Sequence, residues 1–92
     1  MNTLVIYDIT DDNIRAKVAE ECLSHGLIRI QKSAFLGVIN NQVRKSLIRR
    51  LAKILGDHRG NIQIFIICDK DMRFRKIISS EDYTPEGDII FL

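Results

Sequence analysis

The sequence is short of the residues that build covalent or metal-held frameworks. Its two cysteines, Cys22 and Cys68, lie far apart and in no C-x-x-C pair, which excludes a disulfide framework and a cysteine zinc site and leaves two reduced thiols. The two histidines, His25 and His58, fall at helix or loop positions without an obvious partner, which argues against a His-based general acid–base pair. No glycine-rich phosphate loop, H-E-x-x-H helix or nucleophile elbow occurs, so the familiar one-chain hydrolase and nucleotide-binding signatures are missing. No apolar run approaches the roughly 18 residues of a membrane span, and no signal peptide opens the chain. The expectation is a cytoplasmic protein with no membrane partner.

What is present is an ordinary small globular composition. At 92 residues, 46% hydrophobic and 28% charged, the chain makes a single domain, residues 1–92. A domain of that size buries roughly 60–65% of its unfolded surface and gains much from dimerisation. The net charge of +2 conceals an asymmetry. Residues 1–76 hold all 14 Lys and Arg against eight acids, whereas residues 77–92 hold four acids and no base. A basic body with an acidic tail fits a polyanionic partner, and also fits simple solubility.

Leu4-Val5-Ile6-Tyr7 runs without polar alternation into Asp8. Such a run reads as a strand covered on both faces, hence a central one, and Thr10-Asp11-Asp12 after it opens a helix. Asp8 then stands where a central strand gives out, a place where a rigid element holds ligand-binding or catalytic side chains. The plainer reading makes it a turn-starting residue.

The first helix is expected from Asp12 to His25, capped by Thr10 or Asp11, with Ile14, Val18 and Cys22 repeating every four residues and Gly26 ending it. His25 suits the negative end of its dipole. Arg15 breaks the pattern, because it falls inside the apolar arc close to Asp8. Either it snorkels past the sheet to water, or it aims a cation at whatever Asp8 faces. Lys17 projects from the other side of the same turn.

Leu27 to Gln31 and Phe35 to Ile39 carry the next strand signals. Gln31-Lys32-Ser33-Ala34 between them is a tight hairpin turn or a kink in one bent strand, and without an Asn-Gly signal both stay open. Asn40 and Asn41 cap a second helix reaching Leu55, stopped by Gly56. Val43, Leu47, Leu51 and Ile54 form its core stripe, with Arg44 nearer that stripe than the other cations. Lys45, Arg49, Arg50 and Lys53 occupy the far side, with no acid between 41 and 55. That is a solvated face by habit, and one that also suits phosphate contacts. Ile62 to Cys68 reads as a second central strand, Asp69-Lys70-Asp71-Met72 as a turn rather than a pair of metal ligands, and Phe74 to Ile78 as a short strand or helical turn. Asp88 to Leu92 reads as a last apolar strand that pairs with a second subunit.

The order is βαββαβ with a strand appended, the ferredoxin-like arrangement of the α+β class, with helices on one sheet face and a homodimer covering the other. A two-fold axis near Asp8 would bring two carboxylates together. Such a pair can hold Mg²⁺ or Mn²⁺ against a phosphodiester and activate water.

Three pieces of the chain, taken together, resemble the Cas2 family of CRISPR-associated proteins over nearly the whole length. They are Tyr7-Asp8-Ile9 after a hydrophobic first strand, Arg15 and Lys17 in the following helix, and Gly26-Leu27-Ile28-Arg29-Ile30-Gln31-Lys32-Ser33-Ala34-Phe35. The resemblance implies a ferredoxin-like homodimer that serves CRISPR spacer acquisition beside the Cas1 integrase. Members resemble metal-dependent endonucleases of single-stranded RNA or double-stranded DNA, and others are architectural. It implies Asp8 as the metal-sharing aspartate, with Tyr7, Arg15 and Arg29 completing the catalytic set. It also implies Arg15, Lys17, Arg29 and Phe35 as nucleic-acid-binding positions. Lys17 stands where Arg is common, which weakens any role needing a bidentate fork, and Leu36 stands where an acid is frequent. A non-catalytic scaffold and a metabolite-binding regulatory module compete with the nuclease, and no pocket motif supports the last.

Overall fold

Alternation along the first strand sorts the molecule into layers. In the computed structural model, which describes residues 1–80 and 88–91, β1 spans Asn2–Ile9 and buries Thr3, Val5, Tyr7 and Ile9 on one face. Leu4, Ile6 and Asp8 lie on the other. The run expected to be covered on both faces is thus covered on one in the single chain, where Ile6 is 40% exposed.

Helix α1 (Asp12–Ser24) starts at Asp11, whose carboxylate accepts the Ile14 N–H at 3.0 Å, and closes at His25 with Gly26 at φ +96°. Ile14, Val18, Ala19 and Cys22 form its buried face. Strands β2 (Ile28–Gln31) and β3 (Ala34–Val38) pair as a hairpin, which decides between a turn and a bent strand. Lys32 and Ser33 at its tip have no positive φ, so the turn is not of the Asn-Gly type; instead the register shifts between Arg29 and Gln31 as a bulge. The Tyr7 N–H donates to Ser33 O at 3.0 Å and ties the tip to β1.

Helix α2 (Asn41–Leu55) is capped by the Asn40 side chain on the Val43 N–H at 2.9 Å and ends at Gly56. Leu47 and Leu51 pack with Val18, Cys22, Phe35 and Val5 into one core between the helices and the sheet. Strand β4 (Gly60–Ile67) pairs antiparallel along the whole of β1, which gives the order β2-β3-β1-β4 with every neighbour antiparallel. This is the ferredoxin-like order. It corrects the expectation for residues 62–68: β4 is an edge strand, because β3 takes the other place beside β1. Its apolar run serves two faces, with Ile62 and Ile64 packed on the core and Phe65 45% exposed.

Asp69–Met72 winds into a short helix, α3, rather than a plain turn, and β5 (Lys76–Ser79) pairs in parallel with β6 (Asp88–Phe91) as a separate two-stranded sheet. The last strand, expected to pair with a second subunit, thus finds a partner strand in its own chain, and Leu92 lies outside the described residues. Among the described residues no helix is long and apolar enough to cross a membrane.

Gly60 opens β4 at φ +139°, and a Cβ there would lie 2.5 Å from the Asp8 carbonyl oxygen and 3.1 Å from Ile9 Cα. Conformation and close approach both demand glycine. Gly60→Ala is expected to cost roughly 1–3 kcal/mol, seen as a lower urea midpoint at unchanged slope. An unchanged midpoint would show that this end of the β1–β4 ladder is slack.

Candidate functional site

The last residues of β1 send their side chains to opposite faces and so divide the candidate residues into two groups. Asp8 is exposed on the open face, across from Asn61 of β4. Among the described residues no ion pair or side-chain hydrogen bond engages its carboxylate. Nor do they contain a group of three or more His, Cys, Asp or Glu side chains able to hold a metal. One chain therefore offers one carboxylate here, with the Asn61 amide across from it. Asp69, at the other end of β1, accepts from Asn2 Nδ2 at 3.0 Å and serves structure.

Tyr7 points into the helix layer and is 3% exposed. Its ring stacks on Phe35, centroids 6.3 Å apart at an interplanar angle of 17°, and the Arg29 guanidinium lies 5.0 Å from the Phe35 centroid. The Tyr7 hydroxyl is buried without a hydrogen-bond partner. Burial raises its pKa above the ordinary phenol value; the charge of Arg29, near but not in the geometry of a satisfied hydrogen bond, opposes the rise.

This changes the roles expected of two residues. Phe35 has no exposed surface, so in the single chain its ring is not open to a nucleobase and acts on Arg29 from behind. Tyr7 likewise packs rather than faces a substrate. Alternation explains both, since Tyr7 and Phe35 share the helix-side face with Val5.

Arg15 neither reaches freely to water nor faces Asp8. Its guanidinium donates to Ile9 O at 3.2 Å and Thr10 O at 3.5 Å and pairs with Asp12, fastening α1 to the end of β1, with 33% of its side chain still accessible. Lys17 and Arg29 are exposed. The structure thus gathers Tyr7, Phe35 and Arg29, brings Arg15 near enough to act on the Tyr7 hydroxyl electrostatically, and leaves Asp8 apart.

Two polar groupings were not foreseen from the sequence. Arg44 is only 8% exposed and donates to Thr3 Oγ1 and Ile39 O, each at 3.5 Å, and to the Asn41 side chain. Its position near the apolar stripe was the available signal. Glu21 of α1 accepts from Arg50 of α2 at 2.7 Å, and His25 bridges the same helices with Nε2 3.2 Å from Ser46 Oγ. The Arg50 hydrogen bond holds the Glu21 carboxyl below its ordinary range. Arg50 therefore belongs to the helix–helix contact and not to the free basic face.

Fold and site together define a ferredoxin-like α+β domain with an apolar, partly uncovered second sheet face and a lone strand-end aspartate on it. The family model described as CRISPR associated protein Cas2 matches residues 1–82, and the chain belongs to that family. It is 42% identical over 86 residues to the CRISPR-associated endoribonuclease Cas2 of Desulforudis audaxviator, spanning 94% of this chain and 81% of that protein. Against a CRISPR-associated endonuclease Cas1/endonuclease Cas2 fusion of Thermoproteus tenax it is 42% identical over 65 residues, 71% of this chain and 25% of the fusion. The crystal structure of Streptococcus pyogenes Cas2 at pH 6.5 shares the fold, with TM-score 0.68 at 22% identity over 82% of this chain and 96% of that one.

Tyr7→Phe removes a buried hydroxyl that has no partner and keeps the ring stack. Its stability is expected to match the parent or exceed it by up to about 1 kcal/mol in chemical unfolding. A loss of about 1 kcal/mol or more would show that the hydroxyl is satisfied, by water or by Arg29.

Proposed function

We propose that this chain is a metal-dependent endoribonuclease of CRISPR spacer acquisition, working as a homodimer in which two copies of Asp8 share Mg²⁺ or Mn²⁺. The observation that carries the reading is the placement of Asp8. It is exposed and unpaired among the described residues, at the end of a central strand, on the face where Ile6 and Phe65 are left 40% and 45% exposed. Such a face gains by meeting its own copy, and a two-fold axis passing near Asp8 would bring two of these carboxylates together.

Two carboxylates are hard donors suited to Mg²⁺, which keeps several of its waters. Bound there, the ion would orient a water and offset charge developing on the phosphate. Exposed Lys17 and Arg29, with the accessible part of Arg15, would neutralise phosphates without reading bases. Phe35 would keep the Arg29 guanidinium in place. The name of the D. audaxviator relative favours RNA as substrate, with duplex DNA as the other phosphodiester such a site could take. The T. tenax fusion supports Cas1 as the partner. That fusion and the sparse donor set also favour a second reading, a non-catalytic dimeric scaffold that holds nucleic acid for a Cas1 integrase.

Asp8→Asn keeps the size and removes the charge. Mg²⁺-dependent cleavage of single-stranded RNA is expected to fall by roughly 10²-fold or more, and a chelator should do the same to the parent protein. Affinity should stay within a few-fold, and the dimer should persist without metal because two facing carboxylates no longer repel. Undiminished cleavage by Asp8→Asn would place the chemistry elsewhere. Binding of RNA and duplex DNA with no cleavage of either by the parent protein would decide for the scaffold.

A further inference from the structure

We propose that the outer ridge of α2 is a separate seat for a nucleic-acid backbone, on the helix side of the molecule and away from Asp8; it rests on the reading above only in taking nucleic acid as the partner. Lys45, Arg49 and Lys53 follow one another at four-residue steps, so they stand in a row about 6 Å apart along the helix axis. All three are exposed, and none makes an ion pair or side-chain hydrogen bond among the described residues. The helix has no acid from Asn41 to Leu55.

Like charges at this spacing repel and weaken the helix that carries them, whereas a helix face that is merely solvated usually mixes signs. The neighbouring Arg50 makes the contrast. There α1 supplies Glu21 at 2.7 Å, so a carboxylate is provided where a cation holds two helices together and none is provided along the ridge. Ala52, exposed on the same side, adds no bulk that would keep a backbone away. A small anion would engage one of these cations, but a row of them on a rigid element matches a linear polyanion. Because α2 covers the sheet face opposite Asp8, the ridge holds nucleic acid without presenting it to the carboxylate of its own chain.

The test compares two triple variants of the full chain with equal loss of charge. One is Lys45→Gln/Arg49→Gln/Lys53→Gln. The other, Arg59→Gln/Lys70→Gln/Arg73→Gln, removes exposed cations outside α2. Affinity is measured against salt for a duplex DNA of arbitrary sequence, a single-stranded RNA of equal length and polyglutamate. For the ridge variant the slope of log affinity against log salt on duplex DNA should fall by up to about 2.7, at about 0.9 per cation, and alike for unrelated sequences. Its thermal midpoint should equal or exceed that of the parent, since like charges have been separated, which shows that it is folded. The control variant should lower the slope by less than about 1. A loss confined to RNA or to duplex DNA supports the proposal and identifies the backbone. A slope unchanged on both nucleic acids overturns it, and so does an equal fall in the control, which would be an effect of net charge. Polyglutamate bound as tightly as nucleic acid, and lost in the ridge variant, overturns it in favour of an acidic protein. All of these are binding measurements, so they stand whether or not Asp8 supports cleavage.

Discussion

Nearly everything in this molecule depends on β1 being paired along both edges at one register. Asn2↔Val38 to Ile6↔Ala34 fix it to β3, and Asn2↔Ile67 to Ile9↔Gly60 fix it to β4. A slip of one residue would exchange the faces of Tyr7 and Asp8. The carboxylate would then enter the core cluster that holds Val18, Cys22 and Leu47 and lose its hydration, and the phenol ring would lose Phe35. The cost of burying Asp8 and the gain from burying Tyr7 therefore enforce the same register. The geometry of the candidate site follows from core energetics before any function is considered.

The arginines show how the chain divides its cations. Arg15 spends its fork on carbonyls at the end of β1 and on Asp12, Arg44 on neutral oxygens beneath α2, and Arg50 on Glu21. Planar, multiply donating guanidinium groups are being used to join elements. Arg29 differs, because its principal contact is the Phe35 ring, and a ring accepts a cation without consuming its N–H donors. Arg29 is thus held by a ring with most of its donors left available.

The local features were legible in the sequence. The caps at Asp11 and Asn40, the stops at Gly26 and Gly56 and both long helices depend on neighbours a few residues away. What was hidden depends on pairing. An apolar run such as Leu4 to Tyr7 does not reveal which of its residues face the helices, so Tyr7 and Phe35 could be expected near a substrate until alternation placed them in the core. The edge position of β4 was hidden for the same reason, since Ile62 to Ile67 is apolar enough for either place and only the insertion of β3 beside β1 decides. Arg15 was ambiguous because its acceptors are backbone carbonyls, which every sequence has and no pattern marks. The hairpin was ambiguous because a bulge in β2, rather than a recognisable turn pair, makes its geometry.

Electrostatics constrains how the two groups of candidate residues can cooperate. A phosphate approaching the open sheet face meets the charge of Asp8 first, and without a compensating cation that encounter is repulsive. The three candidate cations at this end of the molecule do not lie on that face. Arg15 and Lys17 belong to α1, and Arg29 pairs with Phe35 on the helix-side face of the hairpin. On the proposed reading, a backbone drawn in by these cations would arrive at the rim of the sheet, around Ile9 and Thr10, and would have to turn past the end of β1 to come near the carboxylate. Attraction and chemistry would then act from opposite sides of one strand end, with Asp8 silent toward phosphate until a cation neutralises it. On the proposed reading, two copies of Asp8 would together hold the ion, and its charge would offset theirs toward phosphate.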